Sequence, residues 1–542
     1  MSELAREQYI QAETHIALSP VRDRGRCVLV FPNAYRPAMS SLSLHTLYFL
    51  LNSRDLLCER AFLPDERPLD TLRSLESGTP LAGFDFVLIT SSFELDWLNI
   101  PAMLQAGGVP PMREDRTELH PLVIGGGPAI TANPEPLADM FDALVIGELE
   151  PIADAFVSTL AEADTREEVL EGLRAISTGG GPVGDSPNVG DTTGDCAGIY
   201  LPHLPGHAPQ LGTHRTRVRR LCAEDLDAFS TESVILTPHT TFGNRFLIEV
   251  GRGCGRSCKF CLARRIYQPV RAREPRLLLQ RVDQALSHTR MVGLVGAAIS
   301  DYPRVDELFN GLLERGVNVS VSSVRAESVT ESLAAALGAS GQDTLTIAPE
   351  AGSEDLRRQI GKAMTDQDIL HCIGLSVPHG ITRFKLYYMV GLPGQTQADV
   401  RAIPAMVASL RSRVPEAMFS VSLNPFVPKP HTPFAREAQA PEAQVRKSMS
   451  WVAGALRREG VRDITVGSAR WAAAQAVLSR GGRQLGPAIV QASLAGGGYA
   501  ALKSAVKRHG GNWSDYTGPQ THPEGTAPWD IVSHAYGRRN AE

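Results

Sequence analysis

Six short apolar runs alternate with segments of helical periodicity between Phe246 and Leu423. The candidate strands are 246–250, 292–297, 317–322, 343–348, 382–389 and 418–423. Helices fit between them at 276–288, 304–315, 353–361 and 397–411. Apolar strands connected through helices belong to a parallel sheet whose two faces are both buried. Six units in about 180 residues are too few for a closed eightfold barrel, so the pattern predicts a partial β/α barrel over 241–435.

In such a fold the loops after the strands carry the chemistry. The first strand runs into Gly253-Cys254-Gly255-Arg256-Ser257-Cys258-Lys259-Phe260-Cys261. The chain has 8 cysteines, and five of them (Cys27, Cys58, Cys196, Cys222, Cys372) are scattered, too sparse for a disulfide framework. Cys254, Cys258 and Cys261 are crowded into one loop. Three thiolates at this spacing can ligate three irons of a cubane and leave the fourth open to a chelating substrate. A structural zinc site closes with four ligands, and no second Cys or His pair follows nearby. Glycines 251, 253 and 255 let backbone approach the cluster, and Phe260 shields one face.

A second alternating series precedes the barrel. Strands are expected at 26–31, 58–62, 84–90, 122–124 and 143–146, each ending in a turn of small or polar residues. This predicts a doubly wound α/β domain over 1–165, whose ligands sit outside the carboxyl ends of the strands. Residues 166–240 read as a linker or loop-rich segment that includes His203, His207 and His214 as solvated loop. Ala-rich helices at 441–458 and 468–480 open a helical C-terminal domain over 436–542, whose last 30 residues read as extended.

The triad spacing, with an aromatic residue before the last cysteine at the end of a first barrel strand, resembles the radical S-adenosylmethionine (SAM) superfamily. That resemblance implies a 4Fe–4S cluster whose open iron binds the amino and carboxylate groups of SAM, and cleavage to a 5′-deoxyadenosyl radical. Phe260 belongs to the SAM environment in this reading. Pro349-Glu350-Ala351-Gly352-Ser353 resembles a segment that lies beside SAM, which makes Glu350 a candidate contact. The alternative reading is a helix start capped by Ser353. Gly391 lies in a Gly-Leu-Pro-Gly turn similar to the one near the adenine. Many members carry Gly-Gly-Glu after the second strand. Here the place reads Gly296-Ala297-Ala298-Ile299-Ser300-Asp301, so Gly296 and Ala297 offer carbonyls, and Ser300 or Asp301 supplements them.

A flavodoxin-like domain ahead of such a barrel resembles the cobalamin-binding branch of the superfamily. Phe31 to Ser40, Cys58 to Pro64, Gly125-Gly126-Gly127-Pro128 and Gly147-Glu148 carry that likeness. It implies a cobalamin site at Tyr35, Arg36, Ser91, Ser92, Gly125, Gly126, Gly127 and Glu148. The cobalt-ligating His of many cobalamin domains has no counterpart in the first turn, which predicts base-off cobalamin without a protein His ligand; His45 lies further along the first helix. The resemblance implies methyl transfer to an unactivated carbon through methylcobalamin and a deoxyadenosyl radical. Two other readings are rearrangement, ring contraction or oxidative cyclisation without methyl transfer, and a non-catalytic cobalamin sensor or scaffold. The expected partners are a small-molecule or peptide substrate and an external flavodoxin- or ferredoxin-type electron donor. Methylthiolation is disfavoured, since residues 1–160 hold only Cys27 and Cys58.

A charge of −5, from 54 basic and 59 acidic residues, argues against a dedicated nucleic-acid binder. No apolar run has membrane-spanning length and the N-terminus has no apolar signal core, so a cytoplasmic location is expected.

Overall fold

The computed structural model describes residues 3–17, 25–65, 69–179, 196–203, 217–523 and 525–534. His207 and His214 lie outside them. His203 is tied down, its Nε2 sitting 3.0 Å from the Ala138 carbonyl.

The N-terminal strands form where their apolar runs require. They are β1 (Arg26–Phe31), β2 (Leu57–Phe62), β3 (Phe86–Thr90), β4 (Leu122–Gly126) and β5 (Ala143–Val145), all parallel in the order β2-β1-β3-β4-β5. Alternate residues of each strand feed two cores. Cys27, Leu29, Phe31, Leu88 and Ile124 pack under α1 (Leu42–Asn52), and Val28, Val30, Val87, Ile89 and Val123 pack on the opposite face. Double burial explains why these strands are apolar throughout instead of alternating. The chain reverses direction across the sheet between β1 and β3, so a crevice opens at their carboxyl ends.

The segment expected as linker is more ordered than its Gly and Pro content suggests. α2 (Arg166–Thr178) opens on a Thr165/Glu168 capping box, and β6 (Ile199–Tyr200) adds an antiparallel edge beside β5. The capping pair was readable in Thr165-x-x-Glu168; β6 is only two residues long and is made by its neighbour.

The barrel strands follow the predicted order. β7 (Phe246–Glu249), β8 (Met291–Val295) and β9 (Asn318–Val321) form one parallel sheet. β10 (Thr344–Glu350), β11 (Arg383–Val390), β12 (Met418–Pro425) and a short seventh strand, β13 (Ile464–Val466), form the other. A parallel bridge from Val324 to Ile347 joins them. The free side of β7 takes an antiparallel bridge from Glu232, so the barrel stays open. Phe384, Leu386, Tyr388 and Val390 of β11 are buried in the outer core, which leaves Lys385, Tyr387 and Met389 half-buried on the inner face.

α3 (Glu354–Gln359) follows β10 and is capped by Ser353, whose hydroxyl accepts from the Leu356 N–H. Past the barrel, α4 (Ala469–Arg480), α5 (Gly486–Leu494) and α6 (Tyr499–Arg508) share one core with Val28, Val87 and Val123. They cover the N-terminal sheet as well as flanking the barrel. Within the last 30 residues, Trp513–Thr517 is helical and Val532–Ser533 pairs with Val218–Arg219, so that stretch is not simply extended.

His45, on α1, is buried, with Nε2 3.1 Å from the Met39 carbonyl and Nδ1 accepting from the Val234 N–H at 3.4 Å. Burial pushes its pKa down to about 4 from 6.5. The unfolded chain therefore binds a proton that the folded chain refuses within that window. The stability His45 contributes is complete above pH 6.5 and is lost as pH falls toward about 4. His45→Gln is expected to flatten the acid-side stability slope by up to about 1.4 kcal/mol per pH unit, measured by urea unfolding at stepped pH.

Candidate functional site

The loop carrying the three cysteines is held on every side before any ligand is considered. Gly251–Arg252 pairs antiparallel with Arg271–Ala272, which fixes the approach to Cys254. Arg256 grips Asp301 through two contacts of 2.9 and 2.6 Å and also donates to Ser328. Gln268 Nε2 donates to the Cys254 carbonyl at 2.9 Å. The Lys259 N–H donates to Ile360 O at 2.9 Å, and Phe434 N–H to Lys259 O at 3.3 Å. Phe260 packs among Ala351, Leu392, Phe426 and Phe434. It thereby pins the loop to the residues that follow Glu350 and Gly391 at the ends of β10 and β11.

Within this frame Cys258 is buried and Cys254 and Cys261 are half-exposed, all three as free thiols. Burial raises the Cys261 thiol above its ordinary range. Cys258 and Cys254 are near enough to push the same way, while the N–H groups of Arg264 and Ala263 oppose them. All three thiols belong to this one loop. Among the described residues, no group of three or more His, Cys, Asp or Glu is gathered as a single-ion site.

Two adjoining cavities meet at this loop and share Gly251, Gly253, Gly296 and Ala297. The first, about 470 Å³, lies between the carboxyl ends of the N-terminal strands and the barrel. Its walls are mostly apolar, including Leu42, Leu47, Leu50, Leu88, Ile124 and Val145. Ser92, Gly125, Gly126, Gly127, Thr131, Glu148 and Thr231 add polar points, and among the described residues no histidine lines it. The second, about 480 Å³ and more open, is lined by Cys254, Gly255, Arg256, Ala298, Ser300 and Asp301.

Several expected contacts sit elsewhere or are already engaged. Tyr35 is buried away from the cavity: its hydroxyl donates to Glu13 at 2.6 Å and its ring stacks on Tyr9 at 3.9 Å. Arg36 is exposed and lines neither cavity. Ser91 is fully buried, accepting from Trp97 Nε1 at 3.1 Å; Ser92 is the one that faces the space. Ser300 accepts from the Arg325 N–H at 2.9 Å, so its hydroxyl is committed to the turn after β9. Asp301 is held by Arg256.

The glycines also act differently from expectation. A Cβ on Gly251 would meet Arg271 O at 2.5 Å, and one on Gly253, at φ +85°, would meet Tyr267 O at 2.6 Å. These two are required by the ribbon that presents Cys254. Gly127, at φ +104°, is required by the Ser91 backbone at 2.6 Å, and Gly125 by Phe141 and Leu144. Gly126 alone of that trio has ordinary clearance.

Glu350 carries φ +70°, a strained conformation for a side chain of this kind. Its half-buried carboxylate lies 3.7 Å from Lys362 Nζ, and desolvation raises its pKa despite that cation. Gly391, at φ +89°, donates its N–H to Gln395 Oε1 at 2.7 Å. Both flank the Phe260 knot and line neither cavity.

Glu148, expected as a cobalamin contact, is instead engaged in the charged wall opposite the N-terminal loops. Glu148 takes Arg271 at 2.8 Å on both oxygens, Arg252 at 3.1 Å and the Ala223 N–H at 2.8 Å. Glu150 and Glu249 also meet Arg252, and Arg273 meets Glu249. Arg252, between two required glycines and just before the first cysteine, was the available signal.

Residues 43–179 match the family of radical SAM proteins, N-terminal, and residues 248–406 match the radical SAM superfamily. The chain is 28% identical over 460 residues to the uncharacterized protein MJ0966 of Methanocaldococcus jannaschii, covering 84% of this chain and 89% of that one. Among solved structures, it is similar to the radical SAM methyltransferase TsrM of Kitasatospora setae with cobalamin and a 4Fe–4S cluster bound (15% identity, 78% of this chain and 80% of that chain, TM-score 0.49). It is also similar to the cobalamin-dependent SAM radical enzyme OxsB with aqua-cobalamin (14% identity, 75% and 54%, TM-score 0.45).

Proposed function

We propose that this chain, which belongs to the radical SAM superfamily, is a cobalamin-dependent enzyme that transfers a methyl group to an unactivated carbon of its substrate. The observation that carries the reading is the apolar cavity shared by the N-terminal strand ends and the cysteine loop. A flat, largely apolar group seated there faces the loop directly.

The residues present fit the groups. Three free thiols in one loop, at C-x3-C-x2-C spacing, suit a 4Fe–4S cluster with one open iron. Cys254, Cys258 and Cys261 would hold it. The carbonyls of Gly296, Ala297 and Ala298, at the end of β8, would meet the SAM amino group, with Glu350 and the Gly391 turn on the far side of the Phe260 knot. Ser92, Gly126 and Thr131 would line the corrinoid. When bound, the cluster and SAM supply a carbon-centred radical and the corrinoid supplies the methyl group.

The protein's own work is positioning. The Arg256–Asp301 pair and Phe260 fix the cysteine loop against β8, β10 and β11. The Glu148–Arg271–Arg252 cluster locks the N-terminal loops onto that same loop. Half-buried inner residues of the barrel then leave a chamber beneath the strand ends. Product mass separates methylation, a gain of one CH2 group, from ring contraction or cyclisation with loss of hydrogens.

His45 is spent on Met39 and Val234, and among the described residues no histidine lines the cavity. The cob(II)alamin-loaded protein is therefore expected to give a base-off EPR spectrum without nitrogen superhyperfine splitting. A three-line nitrogen splitting from the protein would contradict this placement.

A further inference from the structure

Below the level of the cysteine loop, the inner face of the barrel carries two cations, Lys385 and Arg245, that make no ion pair among the described residues. Lys385, Thr346 and Ser420 stand side by side across β11, β10 and β12 in the observed register. In the other sheet, Leu247, Gly293 and Ser320 form one row across β7, β8 and β9. Alternation places all six on the inner face, since Phe384 and Leu386, Val292 and Leu294, and Ile347 are buried on the outer side.

Arg245 enters this space from the start of β7. A Cβ on Gly293 would meet Arg245 Cδ at 3.0 Å, so the arginine stem lies over the bare glycine. Among the described residues, Arg245 has no carboxylate partner, and burial alone lowers its pKa. Lys385 Nζ lies 5.6 Å from the Tyr387 ring and makes no ion pair among the described residues. The acids higher up are already paired, Glu249 with Arg252 and Arg273, and Glu350 with Lys362. Lys385 lies four residues before Met389, which packs with Phe260 at cluster level, a drop of about 13 Å.

We infer that Lys385 and Arg245, with the hydroxyls of Thr346, Ser320 and Ser420, form an anion-binding floor that takes the acidic end, a carboxylate or a phosphate, of an elongated substrate. This rests on reading the lumen as the substrate chamber. The cations fix the far end of the molecule, and the apolar and aromatic row of Tyr387 and Met389 receives its middle. A carbon about 13 Å from the anion is thereby presented at the level of the strand ends.

The test uses the full-length protein and three probes of matched shape: phenylbutyrate, phenylbutyl phosphate and phenylbutanamide. Binding is measured by calorimetry on wild type and on Lys385→Met, Arg245→Met and Lys385→Arg. At least one acid is expected to bind about tenfold more tightly than the amide. That preference disappears in Lys385→Met, weakens in Arg245→Met and survives in Lys385→Arg. The stronger of the two acids identifies the substrate's head group. Equal binding of all three probes by wild type, or an unchanged preference in Lys385→Met with an unchanged melting curve, overturns the inference. Should Lys385→Met melt early, Arg245→Met and Lys385→Arg carry the comparison. Because no turnover is involved, cluster content and SAM cleavage are scored separately. A protein that cleaves SAM but shows no acid preference refutes only this floor; one with the preference but no cluster refutes the proposed function.

Discussion

Replacing Cys254, Cys258 and Cys261 together with alanine removes bound iron and brings 5′-deoxyadenosine formation from SAM down to background, a loss of at least about 10⁴-fold. The loop itself is expected to keep its course. Its anchors are the Arg256–Asp301 pair, the Lys259 and Gln268 backbone contacts and the Phe260 knot, none of which involves a thiol. Cys254 and Cys261 are half-exposed, and only Cys258 is buried, so the substitutions cost little packing. Near-ultraviolet circular dichroism close to that of wild type, with iron gone and SAM intact, is the expected combination. Residual SAM cleavage by the triple variant would end the assignment of the cluster to this loop.

Glu148→Ala is expected to lower stability by about 3–5 kcal/mol. The carboxylate is 7% exposed and faces Arg271, Arg252 and, at 3.9 Å, Arg220. Those guanidiniums are themselves nearly buried, so deleting the acid leaves charge desolvated and unpaired, the costly half of a buried ion pair. The loss shows as a lower urea midpoint, with the N-terminal sheet and the barrel coming apart earlier. The pH dependence provides an independent readout. Burial alone would raise the Glu148 carboxyl, but the hydrogen bond from Arg271 and the charges of Arg252 and Arg271 outweigh it and hold it below its usual value. A depressed carboxylate contributes stability that is complete above the unfolded value of 4.5 and is lost as pH falls through the lower folded one. Wild type and Glu148→Ala should therefore converge in stability at acid pH. A constant difference down the whole acid range would show that the carboxylate charge is not what joins the two domains.

The strands and the cysteine loop were legible because each is written locally. Doubly buried parallel strands leave continuous apolar runs, and three thiols in one loop need no tertiary context to be noticed. The sites at strand ends were legible as places more than as residues. Ser92 faces the cavity and Ser91 does not, a choice set by one step of alternation at the end of β3 and by Trp97. Tyr35 looked available in its turn but is taken by Glu13, just past the helix Glu3–Ala12. Glycines read as making room for a ligand prove to make room for Ser91, Arg271 and Tyr267. Glu350 and Ser353 show that two readings of one segment can both hold, since Ser353 caps α3 while Glu350 turns into the buried space beside Lys362. The arginine cluster around Glu148 was signalled only by Arg252 between its two glycines, because Arg252 and Arg271 lie more than a hundred residues from Glu148 and meet it only when the two domains close on each other.

The most direct measurement is the iron, sulfide and cobalt content of full-length protein produced with cobalamin supplied and purified without oxygen. About four iron and about one cobalt per chain are expected, as one cubane and one corrinoid require. Iron at that level without cobalt would contradict the cobalamin-dependent reading, leaving the barrel chemistry without a methyl carrier and giving the N-terminal cavity a different ligand.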